Sequence, residues 1–286
     1  MTVLEVIQRS ADFLSKKGVE SPRLQVELLL AHIFKMPRMK LYLNFERVLT
    51  ETELENLREF VKRRANREPL QHITGTANFC GLEFLVNRHV LIPRPETEIL
   101  AERAWNFLAQ RAKEKAQPAA LDFGTGSGCL AVMLAEKAPA VEIHALDISS
   151  EAIEVARENA MRHEVIERIV FHHGNGFAAL SEKKEFDLIV ANPPYIPSEE
   201  ISTLEPEVRD HDPKLALDGG RDGLEFFRLL AKESPDWLAP NGCLMVEFGE
   251  GQAELSREIF EGQNWIVEAI ERDYTQRLRF LIARRK

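Results

Sequence analysis

Residues 119–138 read AALDFGTGSGCLAVMLAEKA. The apolar run AALDF predicts a buried strand, and GCLAVMLAEKA predicts a helix with an apolar face. The glycines between them, Gly124, Gly126 and Gly128, allow a tight turn that leaves backbone N–H groups at the start of the helix open to a ligand. A strand, a glycine-rich turn and a helix in this order indicate a nucleotide-binding α/β sheet.

The alternation of strands and helices continues after this stretch. The further strands are predicted at VEIHALD, RIVFHH, FDLIVAN, GCLMVEFG, WIVEAIER and RLRFLIARR, and the helices between them at SEAIEVARENAMR, GLEFFRLLAKES and GQAELSREIF. The pattern predicts a doubly wound, mostly parallel sheet of seven strands. Only residues 273–276 separate the last two strands, so we expect these two to pair antiparallel.

Two segments precede this catalytic region, which we place at residues 93–286. Residues 1–70 have helical spacing, with Ser21-Pro22 as a helix start and Thr50 with Glu53 as a capping box. Residues 71–92 predict a β-hairpin linker, because ITGTANF and LEFLVN flank Cys80-Gly81. We favour substrate docking as the role of residues 1–70 over the alternative of a stabilising cap.

Charge and composition narrow the function classes. The 286 residues carry a net charge of −9, divided into about +3 over residues 1–70 and −12 over the remainder. So acidic a catalytic region repels a phosphate backbone, which weighs against nucleic acid as the primary substrate without excluding it. No apolar run reaches the roughly 20 residues that span a bilayer, so the cytoplasm is expected. The three cysteines and eight histidines lack metal-ligand spacing, so we expect no metal.

The glycine-rich turn is the first candidate for cofactor binding. Gly124, Thr125, Gly126, Ser127 and Gly128 follow the first strand of the sheet, and Asp147 ends the second strand, where a carboxylate can accept from both ribose hydroxyls. Such a turn suits NAD, FAD or S-adenosylmethionine. Its G-x-G-x-G spacing favours a nucleoside without a pyrophosphate. Asn175 and Gly176 either contact the adenine or form an ordinary Asn-Gly turn.

A second candidate site is Asn192-Pro193-Pro194-Tyr195, directly after the apolar strand DLIVA. Consecutive prolines fix the backbone and remove N–H groups, which leaves oriented carbonyls. The side-chain oxygen of Asn192 and the carbonyl of Pro193 can each accept one hydrogen from a planar –NH2 group, and Tyr195 can pack on that group. The motif predicts methylation of an amide or amine nitrogen.

These motifs together resemble the release-factor glutamine methyltransferases, the PrmC/HemK family. The resemblance rests on IPRPETE (92–98), DFGTGSG (122–128), Asp147, IVANPPYIP (189–197) and ALDGGRDGLEFF (216–227), and it spans nearly the whole chain. Asn192-Pro193-Pro194-Tyr195 by itself is shared with adenine-N6 methyltransferases. Asn175 stands where the family often has Asp, which leaves the adenine contact open.

The resemblance implies a function and a partner. It implies methyl transfer from S-adenosylmethionine to the side-chain amide of glutamine in the Gly-Gly-Gln loop of class I peptide-chain release factors. Gly124 to Gly128, Asp147 and Asn192 would contact the cofactor, and Asn192 to Tyr195 would hold the glutamine. We expect a monomer. The alternatives are glutamine in a ribosomal protein, adenine N6 in nucleic acid, or a non-catalytic module that binds S-adenosylmethionine and docks on the translation machinery.

Overall fold

The predicted seven-stranded sheet is present in the computed structural model, which describes residues 1–286. The chain contains nine strands: β1 (Thr76–Phe79), β2 (Leu82–Leu85), β3 (Ala119–Phe123), β4 (Glu142–Asp147), β5 (Ile169–His173), β6 (Phe186–Ala191), β7 (Leu238–Glu247), β8 (Trp265–Arg272) and β9 (Leu278–Arg285). The large sheet has the order β5-β4-β3-β6-β7-β9-β8, and β1 pairs with β2 in a separate hairpin. Strands β3 to β7 run parallel, and β9 lies antiparallel between β7 and β8, which confirms the predicted fold class.

The strand order reverses beside β3. The chain moves outward from β3 to β4 and β5, then returns to the other side of β3 to form β6. The loops that follow β3 and β6 therefore leave the sheet on either side of this reversal, where doubly wound sheets bind ligands. Both candidate motifs, the glycine-rich turn and Asn192-Pro193-Pro194-Tyr195, lie in these two loops.

Helices cover both faces of the sheet. They are α5 (Thr97–Glu114), α6 (Cys129–Lys137), α7 (Ser150–Arg162), α9 (Glu225–Glu233) and α10 (Ala253–Gly262). The other helices of the chain are α1 (Val3–Lys16), α2 (Pro22–Ile33), α3 (Glu51–Ala65), α4 (Leu70–Thr74) and α8 (Pro206–Arg209). Side chains alternate along β3, with Ala120 packing in the core beneath α5, α6 and α7, and Leu121 packing in the core beneath α9 and α10. All five residues of β3 are buried, as expected for a central parallel strand.

The chain divides into two compact units. The first contains Met1–Thr76 and the segment Glu205–His211, and the second contains Ala77–Leu204 and Asp212–Lys286. The first unit has its own apolar core, to which α1, α2 and α3 contribute residues such as Ile7, Leu29 and Leu57. Within it, Arg64 on α3 donates to Glu207 over 2.7 Å, so this ion pair holds the segment Glu205–His211 against the unit.

The start signals of the N-terminal helices can be checked directly. The capping box at Thr50 and Glu53 is present, with both reciprocal hydrogen bonds. Pro22 is the first residue of α2, as predicted, but the Ser21 side chain makes no capping bond because its backbone is left-handed, with φ +46°. The pattern identified the start of the helix correctly and assigned the wrong role to the serine.

The linker differs from its prediction in its first residues. A short helix, α4, occupies Leu70–Thr74, where residues 71–92 were expected to open a hairpin. Pro69 precedes this helix with its φ fixed at −56°, and Gly75 ends it at φ +77°. The hairpin itself follows as β1 and β2. None of the helices combines the length and the apolar character that a membrane span requires.

Candidate active site

A cavity of about 380 Å³ lies at the carboxyl ends of the parallel strands. The loops after β3, β4, β5 and β6 all contribute to its wall, so the glycine-rich turn, Asp147, Asn175-Gly176 and Asn192-Pro193-Pro194 meet in one place. Other parts of the chain also line the cavity, among them Arg88 to Leu91, Pro93, Arg94, Thr97, Pro213, Leu215, Ala216, Phe226 and Leu229. Its volume falls within the range of small-molecule sites.

Backbone hydrogen bonds shape the glycine-rich turn. Gly124 and Gly126 have φ values of +76° and +54°, a region that other residues enter at a cost. The Gly126 N–H donates to Asp147 Oδ2 over 2.8 Å. Below the turn, the buried Asp122 accepts from the Thr125 hydroxyl at 2.6 Å and from the Ala131 N–H at 3.1 Å. The carboxylates on either side of the turn therefore fix its conformation.

Gly128 has a different place from the rest of the turn. It is buried and is not among the residues that line the cavity. A Cβ on Gly128 would approach the Cβ of Ala156 on α7 to 2.9 Å. The structure therefore explains Gly128 by the close approach of α7 rather than by a ligand, and it brings only Gly124 to Ser127 to the cavity.

Asp147 keeps acceptor capacity for a ligand. Its Oδ1 accepts from the Ser149 N–H at 2.9 Å and its Oδ2 from Gly126. A carboxylate has about four lone-pair positions, so Asp147 can still accept further hydrogen bonds. Burial raises the pKa of the Asp147 carboxyl above its ordinary value, and the backbone donors oppose that shift. A pair of hydroxyl donors from a ribose would satisfy the remaining positions.

The part of the cavity wall formed by Ile148, Asn175 and Gly176 combines apolar and polar groups. Ile148 follows Asp147, lines the cavity and leaves 51% of its surface exposed, which is unusual for a large apolar side chain beside a ligand-sized cavity. Asn175 and Gly176 also line it. Ile148 did not stand out in the sequence, although its position directly after the acidic end of a strand is a usable signal.

Two consecutive hydrogen bonds orient the Asn192 side chain at the opposite end of the cavity. The Asn192 Nδ2 donates to the Thr97 hydroxyl over 3.1 Å, and that hydroxyl donates to Glu247 Oε2 over 2.7 Å. The amide nitrogen of Asn192 is thus used inside the protein, and its oxygen is the group left for a ligand. No protein donor contacts the Pro193 carbonyl.

The rest of this loop is clamped from two directions. The Tyr195 carbonyl accepts from the Gln252 side chain at 2.8 Å, and Ile196 pairs with the segment 217–219 through backbone bonds. A Cβ on Gly223 would meet the Tyr195 oxygen at 2.3 Å, and one on Gly219 would meet the Pro194 oxygen at 2.8 Å, so these two glycines make room for this loop. Tyr195 is not among the residues that line the cavity, and burial raises the pKa of its hydroxyl to about 12.

The segment IPRPETE has three separate contacts. Arg94 forms an ion pair with the buried Asp212 over 2.7 Å, and Arg94 also lines the cavity. Thr97 makes the contacts described above, and Glu98 accepts from the Cys80 N–H in the turn of the β1–β2 hairpin at 2.8 Å. The sequence singled out this segment by resemblance alone, since none of these partners is near it along the chain.

The cavity therefore has two chemically distinct ends. One offers the backbone of a glycine-rich turn, a carboxylate with spare acceptor positions and an apolar face, which fits a nucleoside. The other offers an amide oxygen and a free carbonyl, which fits a group with two N–H donors. The two ends share one enclosed space, so a methyl donor at the first and an acceptor nitrogen at the second would meet.

Comparisons with known proteins find matches for both parts of the chain. The family model of the PrmC N-terminal domain matches residues 5–75, and that of the methyltransferase small domain matches residues 101–205. A solved methyltransferase from Pyrococcus furiosus aligns with a TM-score of 0.52 and 21% identity, over 78% of this chain and 97% of its own, which shows a shared fold.

Curated relatives extend the likeness to nearly full length. The chain is 46% identical to the release factor glutamine methyltransferase of Geobacter sulfurreducens over 91% of this chain and 88% of the relative. It is 42% identical to the protein of the same name from Chlorobaculum tepidum over 89% and 88%. With this identity, this coverage and both family models in order, the chain belongs to the release factor glutamine methyltransferase family.

Proposed function

We propose that this enzyme transfers a methyl group from S-adenosylmethionine to the side-chain amide nitrogen, N5, of the glutamine in the Gly-Gly-Gln loop of class I peptide-chain release factors. The observation that carries the proposal is the Asn192 amide oxygen, held beside a free Pro193 carbonyl on the wall of a nucleoside-sized cavity. The names of the curated relatives give the target class. We expect the enzyme to act as a monomer in the cytoplasm.

The residues present fit S-adenosylmethionine. Gly124 to Ser127 would pack their backbone against the cofactor, Asp147 would accept from the ribose, Ile148 would pack on the adenine, and Asn175 with Gly176 would contact its edge. Bound there, the cofactor supplies an electrophilic methyl group on a sulfonium.

The acceptor end would act by orienting a weak nucleophile. A neutral amide nitrogen shares its lone pair with the carbonyl, so attack requires the nitrogen to leave planarity. Asn192 Oδ1 and the Pro193 carbonyl would each accept one N–H, which fixes the face of the amide. Both bonds strengthen as positive charge develops on nitrogen, so they favour the transition state over the bound substrate. The fixed geometry itself removes part of the entropic barrier.

The test is mass spectrometry of a release factor after incubation with the enzyme and S-adenosylmethionine. One added methyl on the glutamine of Gly-Gly-Gln is expected, and none on a Gly-Gly-Ala control. Labelled cofactor in a cell extract distinguishes the alternatives. Label on a ribosomal protein or on adenine, with an unmodified release factor, would contradict the proposed substrate, and binding without any transfer would indicate a non-catalytic module.

The N-terminal unit would serve as the docking domain. It exposes Met39, Leu43 and Val48 by 66%, 87% and 64%, which is a concentration of apolar surface on a unit without any part of the cavity. The combined change Leu43→Ser and Val48→Ser is expected to raise KM for an intact release factor about 5- to 30-fold and to leave cofactor affinity unchanged. Met161→Ser with Leu255→Ser, at positions exposed on the other unit, is the matched control. An unchanged KM would assign the unit to stability.

A further inference from the structure

The Asn192 side chain is the first member of a three-residue chain that ends at a buried carboxyl. We propose that Thr97 and Glu247 are positioning residues for methyl transfer, which fix the Asn192 amide with its oxygen toward the cavity. The proposal rests on the proposed function of Asn192 as an acceptor. Neither Thr97 nor Glu247 would contact the substrate in this role; both would act through Asn192.

The direction of the hydrogen bonds carries the argument. The Thr97 hydroxyl has one hydrogen, and the ionised carboxylate of Glu247 at 2.7 Å can only accept it. The lone pairs of that hydroxyl are then left to face Asn192 at 3.1 Å, and only an amide N–H can satisfy them. An Asn192 turned by 180° would place its oxygen against another acceptor. The carboxylate thus sets the orientation of a side chain two links away.

The burial of Thr97 and Glu247 raises the free-energy cost of losing this orientation. Thr97 and Glu247 are both 2% exposed, so water cannot replace either partner. Thr97 is the first residue of α5 and Glu247 the last residue of β7, and both elements are packed in the core of the sheet. Burial raises the pKa of Glu247 to about 7, while the Thr97 hydroxyl, Arg279 and Arg94 lower it and Glu96 raises it.

A purely structural tie between α5 and β7 is the competing explanation. Such a tie needs a hydroxyl and a carboxyl, but it does not require a particular hydrogen-bond direction at Asn192. The two explanations therefore differ in what happens when the direction is changed while the contacts are kept. They also differ in whether transfer or cofactor binding responds.

The first experiment removes and restores the hydroxyl. Thr97→Val keeps the shape and loses the link, and we expect methyl transfer at saturating substrates to fall about 10- to 100-fold with cofactor affinity within about two-fold. Thr97→Ser keeps the hydroxyl and should retain the rate to within about three-fold. Equal losses in both variants, or a loss of cofactor affinity that matches the loss of rate, would overturn the proposal.

The second experiment reverses the chain. Asn192→Asp places two carboxylates on one hydroxyl, so one of them loses its donor, and we expect a loss of at least about 100-fold. Adding Glu247→Gln supplies an amide donor from the other side, so the Thr97 hydrogen can turn toward the introduced carboxylate. The double variant should recover at least about ten-fold over Asn192→Asp alone. No recovery in a folded protein with normal cofactor affinity would contradict the proposed direction.

A third readout does not depend on the reaction. One of the two side-chain amide hydrogens of Asn192 should exchange slowly with solvent in ¹⁵N NMR, with the signal assigned by its absence in Asn192→Asp. Thr97→Val should abolish that protection and Thr97→Ser should keep it. If the wild-type enzyme fails to methylate glutamine while this pattern holds, the proposed function is wrong and the positioning chain stands. If the enzyme methylates glutamine without this pattern, the positioning chain is wrong.

Discussion

The two ends of the cavity are built differently. The cofactor end, Gly124 to Ser127 with Asp147, is fixed by hydrogen bonds between groups 3 to 21 residues apart in sequence. The acceptor end, Asn192 to Tyr195, is fixed by side chains 57 to 150 residues apart, through Gln252, Thr97 and Glu247. The first is largely one strand–turn–helix unit and its neighbouring strand, and the second requires the complete sheet.

This difference predicts which substitutions each end of the cavity tolerates. The cofactor end would contact its ligand largely through the backbone of the turn, so it should tolerate changes of side chain except at its glycines and at Asp147. At the acceptor end, the Asn192 side-chain oxygen would orient the substrate, and residues distant in the sequence hold that oxygen in place. We therefore expect the rate of transfer and the affinity for the cofactor to separate cleanly between the two ends.

The largest separation is expected for Asn192→Ala. The change removes one of two acceptors for the substrate N–H groups, and the remaining Pro193 carbonyl leaves the nitrogen free to rotate. By analogy with single-group deletions at charge-stabilising sites, transfer should slow by roughly 10²–10³-fold. Single-turnover kinetics at saturating cofactor measures this, with calorimetry to confirm cofactor affinity within a few-fold. A loss confined to cofactor affinity would show that Asn192 belongs to the other end.

The next effect is expected at the cofactor end, for Asp147→Ala. Loss of the charge-assisted bonds to a ribose should weaken S-adenosylmethionine binding by about 2–3 kcal/mol, or about 30- to 150-fold. Transfer at saturating cofactor should fall much less than it does in Asn192→Ala. Asp147→Asn is the control, because it keeps an acceptor and should bind with intermediate affinity. Unchanged binding in a folded Asp147→Ala would remove this residue from the site.

The same division explains what could be predicted from the sequence. The sheet, its helices and the antiparallel pairing of β8 with β9 follow local periodicity and turn length, and the structure has them. The glycine-rich turn and Asp147 were recognisable because their hydrogen-bond partners are close to them in the sequence, at most 21 residues away. Asn192-Pro193 stood out in the sequence because proline constrains its own backbone and has no N–H group.

The remaining parts could not be predicted for a physical reason. The contacts Thr97–Glu247 and Arg94–Asp212 join residues 150 and 118 positions apart, and no local period encodes them. Gly128 has the spacing of a ligand-binding glycine, but the approach of Ala156 on another helix explains it. Serine is a residue type typical of a helix N-cap, but the left-handed backbone of Ser21 keeps its side chain from forming the capping hydrogen bond.

A glycine at each end gives a smaller and paired test. Gly126→Ala at φ +54° has no atom within 4 Å of the new Cβ, so only backbone strain of about 1–2 kcal/mol is expected. Gly223→Ala at φ +76° adds an overlap with the Tyr195 carbonyl, for roughly 1–3 kcal/mol more. Urea unfolding followed by tryptophan fluorescence measures both, because Trp105, Trp237 and Trp265 all lie in the second unit. Equal destabilisation by the two changes would contradict the tight packing beneath the acceptor loop.

The smallest effect concerns the buried carboxyl at each end. Burial raises the pKa of Asp122 from an ordinary 3.8 to about 7, against the Thr125 hydroxyl and the Ala131 N–H, and Glu247 rises to about 7 for the same reason. A carboxyl whose pKa is raised by folding binds more protons in the folded state. Its contribution to stability is therefore complete below its ordinary pKa and is lost as the pH rises through about 7. The free energy of unfolding should fall between pH 6 and pH 8.

Asp122→Asn isolates the part that belongs to the cofactor end. A group that titrates at about 7 carries on average half a proton between pH 6 and pH 8, so it accounts for about 1.4 kcal/mol of the decline. The amide oxygen can still accept from Thr125 and Ala131, so the variant should lose this share of the pH dependence. Its free energy of unfolding should therefore rise relative to that of the wild type as the pH rises. Glu247→Gln should do the same at the acceptor end, since its carboxyl is equally buried. Urea unfolding by tryptophan fluorescence at pH 6, 7 and 8 checks both. A decline as steep in Asp122→Asn as in the wild type would mean that Asp122 stays charged in the folded protein, and the turn would then be held by a charged acceptor rather than by a neutral acid.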